Sequence, residues 1–223
     1  MAKTLDELIN AKEPGWPLVQ EWLSRANKPV EVLDVPPRRG AGMLLALQVT
    51  TRSPMGAIAF QSGGLLVDHG WVRVLGGGCA RMEGDLARWN GLGERPLVQP
   101  FDGAMLVAHD VLGGFFALDG GALGEGKGAA YYLAPDTLEW EPLAGSYSEL
   151  LAFLLTGDLA KFYEDFRWPG WEREVAALPP DRGYSFVPPL FAQEEGQGRS
   201  RSDVLMVELL GMNLELAGGG GEE

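Results

Sequence analysis

Short apolar runs broken by glycine occupy the chain from residue 30 to residue 143, and the shortness of their connectors constrains the fold more than any other feature. The runs are Val30–Leu33, Met43–Thr50, Ala57–Phe60, Leu65–Asp68, Trp71–Leu75, Met105–His109, Phe115–Leu118, Ala129–Leu133 and Glu139–Leu143. Most are four to eight residues long and read as strands. The connectors Gln61–Gly64, His69–Gly70 and Gly113–Gly114 are too short to hold a crossover helix, so they predict antiparallel returns. A doubly wound nucleotide-binding fold is thereby disfavoured. Glycine supplies 32 of the 223 residues, about twice the average usage, as a chain with many tight turns requires.

Helical punctuation lies on either side of this region. Thr4-Leu5-Asp6-Glu7 fits a capping box, and Leu5, Leu8 and Ile9 follow on one face. Pro17 suits the first turn of a second helix with Trp22, Leu23 and Ala26 in its stripe, and Asn27 suits a left-handed exit. A short helix is also predicted over residues 83–90. Ser146-Tyr147-Ser148-Glu149 is a second capping box, leading into Leu150, Leu151, Leu154 and Leu155. Asp158 caps the following turn, and a further helix carries Trp171, Val175 and Leu178 before Pro179-Pro180 stops it. From Asp181 to Arg201 the pattern is that of a loop with a brief extended piece at Tyr184–Val187, and Asp203 to Leu216 reads as a final helix. The expectation is one α+β domain over residues 1–216, an antiparallel, meander-like sheet flanked by N-terminal and C-terminal helices. Residues 217–223 read as a disordered, glycine-rich acidic tail.

Charge narrows the functional classes. The formal net charge is -13, and the two parts of the chain contribute unequally: residues 1–100 carry 11 Lys and Arg against 10 Asp and Glu, residues 101–223 carry 7 against 21. Nucleic-acid binding by phosphate neutralisation is disfavoured. The single cysteine, Cys79, cannot form an internal disulfide, and two histidines, His69 and His109, make no zinc-type cluster. No metal and no cofactor is expected. Without an apolar leader or a long apolar stretch, the reading is a cytoplasmic protein that does not enter membranes.

Few residues invite chemistry. Trp71-Val72-Arg73-Val74-Leu75-Gly76-Gly77-Gly78-Cys79 places glycines after a strand, but lacks the Gly-Lys-Ser/Thr ending of a phosphate loop. Cys79 would need His69 or His109 as a base. Asp68, Asp110, Asp119 and Asp136 each fall at a strand end, where a carboxylate either builds a site or caps a turn through its own side chain. Seven tryptophans suit a sheet-and-helix core, and Trp140, Trp168 and Trp171 lie in the acidic part, where exposed ones would anchor a partner.

The runs Gln48–Ala57, Gly70–Gly76, Asp110–Ala117 and Ala134–Trp140 resemble a bacterial family catalogued only as a domain of unknown function. Residues 114–157 are also similar to the core of the SUKH superfamily of immunity proteins: strand, Gly-Gly turn, aromatic strand, Trp140, then a Ser-initiated helix. That resemblance implies a SUKH-like α+β fold and a binding role, often neutralising a toxin, and brings no catalytic residues.

The leading expectation is thus a non-enzymatic interaction module whose acidic C-terminal half docks a basic protein partner such as a toxin, with Arg52, Asp119, Asp136, Glu139, Trp140, Trp168 and Trp171 as the interaction residues. The alternative is a small-ligand binder or hydrolase with a site near Arg52, Arg73, Cys79 and the strand-end aspartates. A third is a homo-oligomer assembled through an exposed strand edge.

Overall fold

The computed structural model describes residues 2–124, 126–193 and 198–219. The chain begins with α1 (Leu5–Leu8), whose capping box forms as expected: Glu7 Oε2 accepts from the Thr4 backbone N–H at 2.7 Å. It is followed by α2 (Trp16–Ser24), with Pro17 in the first turn, and the edge strand β1 (Val30–Leu33). Asn27 does not take a left-handed conformation. Its side-chain amide instead donates to Thr156 O at 2.8 Å, and Lys28 Nζ donates to Leu155 O and Gly157 O at 3.1 and 2.9 Å. These donors meet the carbonyl end of a later helix, where free acceptors and the helix dipole favour a cation.

The next two apolar runs, expected as strands, are helices: α3 (Pro37–Leu47) and α4 (Pro54–Gln61). A continuous apolar run carries no period that separates a buried strand from a buried helix, so the start signals decide. Pro37 sits at the first position of α3, and Ser53 Oγ accepts from Gly56 N at 3.0 Å with Pro54 beside it. Gln61–Gly64 is therefore a helix-to-strand connector and not a hairpin.

The remaining strands are β2 (Gly64–Val67), β3 (Val72–Leu75), β4 (Ala104–Asp110), β5 (Phe115–Asp119), β6 (Ala130–Leu133) and β7 (Trp140–Ala144). With β1 they form one seven-stranded antiparallel sheet in sequential order, a meander in which β1 and β2 pair although two helices separate them in the chain. The helix expected at 83–90 is reduced to a single 3-10 turn at Arg88–Asn90.

After the sheet come α5 (Tyr147–Thr156), α6 (Leu159–Phe162) and α7 (Trp171–Ala177), capped at their starts by Ser146 Oγ and Asp158 Oδ1 in the first two cases. The loop expected over 181–201 is instead partly a hairpin of β8 (Arg182–Val187) and β9 (Ser200–Leu205), and α8 (Met206–Gly219) starts three residues later than expected. Ser200 and Arg201 fall in the expected loop and Asp203 in the expected final helix, yet the polar run gains a full ladder with β8 and an Arg182–Asp203 ion pair at 2.5 Å. Residues 217–219 of the expected tail belong to α8, and residues 220–223 lie outside the described residues.

Both faces of the sheet are covered. Register partners in an antiparallel ladder project from the same side, so one row runs Glu31, Leu66, Arg73, His109, Phe115, Leu133, Trp140 across all seven strands. Trp89 packs on this face, 5.6 Å from the rings of both His109 and Phe115. The opposite face carries Val67, Val72 and Asp110 in one row and Val74, Ala108, Phe116 and Tyr132 in the next, with Phe162 of α6 packed 5.4 Å from Tyr132. Coverage on both sides is why β2, β3 and β6 are buried at every position and read as unbroken apolar runs.

Candidate anion cleft beside the β2–β3 turn

Arg73 is the one charged residue within β3, and its burial follows from the double coverage of that strand: Leu66 and His109 flank it in the row, and its relative exposure is 1%. The hairpin before it is tight. Asp68, His69 and Gly70 all have positive φ, at 53°, 60° and 83°, and Trp71 N donates back to Asp68 O at 3.0 Å. Three successive left-handed residues make a sharp return, and only the last is a glycine, so the turn stores backbone strain at this end of the sheet.

Beside the turn lies a cleft of about 230 Å³. Pro29, Leu66, Val175, Ala176, Leu178 and Pro180 form its apolar walls; Glu31, His69, Arg73 and Arg81 supply its polar lining. The Arg81 guanidinium is engaged with Glu31 in an exposed ion pair. Arg73 is in a different state: among the described residues, Nε, Nη1 and Nη2 have no hydrogen-bond partner. Burial lowers its pKa to about 10, while the charges of Asp110, Tyr184 and Asp181 act in the opposite direction. The guanidinium is therefore still a cation at neutral pH, in a place where a charge is costly unless compensated.

His109, the register partner of Arg73, is completely buried and its two ring nitrogens are also unpartnered among the described residues. Burial and then the Arg73 charge hold its pKa well below the usual imidazole range, so the ring is neutral at pH 7. Trp89 Nε1 completes this set of unengaged donors on the same face. The segment carrying Trp89 is held by Asp181, whose carboxylate accepts from Glu83 N at 2.7 Å and Gly84 N at 2.9 Å.

Two structural devices brace the cleft. Arg167 forms an ion pair with Asp68 and stacks over Trp171, 4.1 Å from its ring centroid, and over Trp71 at 5.1 Å. On the other side of the sheet Asp110 Oδ1 accepts from Leu112 N and Gly114 N at 2.8 and 2.9 Å, and Oδ2 accepts from the hydroxyls of Tyr132 and Tyr163 at 2.6 and 3.0 Å.

Of the residues singled out by sequence, Arg73 and His69 line this cleft, Asp68 precedes His69 in the turn, and the others are placed elsewhere. Arg52 is exposed and pairs with Glu13 at 3.2 Å. Cys79 is buried near Gly63. Asp119 caps its turn, one oxygen accepting from Gly121, Ala122 and Leu123 N–H groups. Asp136 is half-buried and Glu139 exposed in the β6–β7 connection, and Trp140 packs on the core from the edge strand β7. Trp168 and Trp171 do come together, around Trp71, at 5.6 and 4.9 Å, but both are packed inward, and Arg201 lies 4.1 Å over Trp168. Arg167, Trp89 and Asp181 escaped the sequence reading, and His109 entered it only as a candidate base for Cys79, not as the neighbour of Arg73.

Among the described residues no group of three or more His, Cys, Asp or Glu is arranged to hold a metal ion, and no helix is long and apolar enough to cross a membrane.

Fold and site together define an α+β protein built on one antiparallel meander, with a buried cation that has no hydrogen-bond partner among the described residues beside an apolar cleft. Residues 5–209 match the family model described as "Protein of unknown function DUF2625", and the chain belongs to that family. It is 41% identical over 216 residues to the Escherichia coli (strain K12) protein named "Putative uncharacterized protein YbfG", covering 96% of this chain and 97% of that one. It is 34% identical over 194 residues to an "Uncharacterized protein" of Haemophilus influenzae, covering 84% and 82%. No solved structure matches.

Proposed function

We propose that this protein binds a small anionic molecule in the cleft between the β1–β3 end of the sheet and α7, with Arg73 receiving the negative charge. The observation that carries this reading is the state of Arg73: buried, charged at neutral pH, and without an acceptor among the described residues. A guanidinium presents five donors in a planar fork suited to carboxylate or phosphate oxygens. The guanidinium nitrogens are covered in the ligand-free protein, so the charge attracts an anion into the cleft across a low-dielectric setting and the fork turns toward it as it arrives. Among the described residues the lining side chains include no Ser, Thr, Cys or Lys, which favours binding over catalysis by a hydroxyl, thiol or amine nucleophile.

Calorimetric titration with simple anions tests the reading. Saturable binding to the wild type that is lost in Arg73→Gln supports it; no binding by any anion, or binding indifferent to the substitution, refutes it.

A second reading is an immunity-type module of SUKH kind that docks a basic protein. It draws support from the order β5, β6, β7 with Trp140, then the Ser146-capped α5, and from the exposed carboxylates Glu164, Asp165 and Glu172. Because Trp168 and Trp171 face inward, such a partner would meet carboxylates and not tryptophans. Salt-sensitive capture of a basic partner would support this reading, and salt-insensitive capture would count against it.

A further inference from the structure

Charge and wall chemistry at the cleft narrow the class of anion, given the binding role proposed above. Arg73 contributes a positive charge with no hydrogen-bonded acceptor among the described residues, while the other guanidinium in the lining, Arg81, and Glu31 neutralise each other. The carboxylates of Asp110 and Asp181 offset part of the Arg73 charge through space, which leaves attraction for at most a single negative charge. The electrostatic balance is thus that of a monoanion; a phosphate-like dianion would bring one charge too many. The volume of about 230 Å³ is below the ~300–1,000 Å³ usual for drug-sized ligands. Pro29, Leu66, Val175, Leu178 and Pro180 offer a carbon body apolar contact and no hydrogen bonds.

We propose that the cleft takes a small monocarboxylic acid with a branched aliphatic or aromatic body, its carboxylate on the Arg73 fork and its carbon body against the Leu66, Val175 and Leu178 walls. Two parallel N–H···O contacts from a guanidinium match a carboxylate, and each methylene or methyl removed from water adds affinity roughly fourfold. This inference rests on the anion-binding reading, and the experiment separates the two.

The full chain is titrated by calorimetry with isovalerate, benzoate, acetate, inorganic phosphate and benzamide. Isovalerate or benzoate should bind more than about tenfold tighter than acetate or phosphate, and benzamide, which has the body without the charge, should bind at least about tenfold more weakly than benzoate. Phosphate binding as tightly as benzoate would overturn the carboxylic-acid assignment and leave the anion reading standing. No binding of any of the four anions would overturn both. Benzamide equal to benzoate would also overturn both, because charge would then contribute nothing. Arg73→Gln should weaken benzoate at least about tenfold with unchanged circular dichroism. Should that variant not fold, Ala176→Trp, which places bulk at an exposed position of the cleft wall, serves instead: it should weaken benzoate about tenfold, and undiminished binding would overturn the assignment.

Discussion

Arg73 and His109 are register partners on β3 and β4, projecting from the same face of the sheet, both buried and both without hydrogen-bond partners among the described residues. A cation next to a neutral imidazole in a sheet interior adds nothing to stability that two apolar residues would not supply better. The pair is intelligible as a recognition element, and its energetic cost gives it measurable signatures.

Arg73→Met should raise the stability of the ligand-free protein. Methionine matches the length of the side chain and removes a buried charge; replacements of buried ionic groups by apolar ones are commonly neutral or stabilising by about 1–4 kcal/mol. The attraction of Asp110 and Asp181 for Arg73 is lost, but Asp110 keeps four hydrogen bonds and Asp181 keeps two. Urea unfolding of the two proteins measures the difference. A clear loss of stability would make Arg73 a structural residue and weaken the case for a ligand. A gain accompanied by lost anion binding is the pattern of a residue kept for function.

His109 should make stability fall on acidification. Its folded pKa lies below the 6.5 of the free imidazole, so at lower pH the unfolded chain takes up a proton that the native protein refuses. The contribution is fully present above pH 6.5 and is lost as pH falls through the window below it, at up to about 1.4 kcal/mol per pH unit. Asp110, whose pKa burial raises, acts with the opposite sign as pH falls, and it is common to both proteins in the comparison. His109→Phe keeps a ring between Trp89 and Phe115 and removes the titration. Chemical denaturation at a series of pH values should show the wild type losing stability relative to His109→Phe below pH 6.5; parallel curves would mean that the ring protonates freely in the native state.

Much of the sheet was legible because hairpin connectors and apolar runs are local signals. β1 and the β4–β5 hairpin fall within a residue or so of where the pattern puts them, and the Thr4 and Ser146 caps form. The runs Met43–Thr50 and Ala57–Phe60 misled because their apolar content has no period, and the feature that separates helix from strand there is the Pro37 and Ser53-Pro54 start. For the site, the sequence marks Arg73 as a lone cation in an apolar strand. It cannot show that α7, a hundred residues later, forms the opposite wall, or that His109 is its neighbour, since both depend on tertiary register.

Tyr163→Phe should cost about 1.5–3 kcal/mol, the range for a hydrogen bond to a charged group, since Asp110 Oδ2 loses one of its two hydroxyl donors and retains the other. Asp110→Ala should cost about 3–5 kcal/mol, because it leaves two tyrosine hydroxyls and two backbone N–H groups in the interior without an acceptor. Thermal or urea unfolding ranks the two. Equal costs would mean that the tyrosine contact to Asp110 carries the whole network.

Two glycine-to-alanine changes in neighbouring helices should act with opposite sign. Alanine is the better helix former by about 1 kcal/mol, so propensity alone favours both substitutions. At Gly42 in α3 an added Cβ meets nothing within 4 Å, and Gly42→Ala should stabilise by about 0.5–1 kcal/mol. At Gly56 in α4 the same atom would lie 2.1 Å from Thr50 O and 2.7 Å from Thr50 C. Those atoms are backbone, fixed by the turn into the Ser53 cap, where Ser53 N and Oγ both donate to Thr50 O. The turn cannot yield as a flexible side chain would. Overpacking costs of about 1–3 kcal/mol then exceed the propensity gain, and Gly56→Ala should be net destabilising. Unfolding free energies of the two variants decide it: a gain at both positions would mean that α4 can slide away from the 50–53 turn, and that the close approach does not fix the helix there.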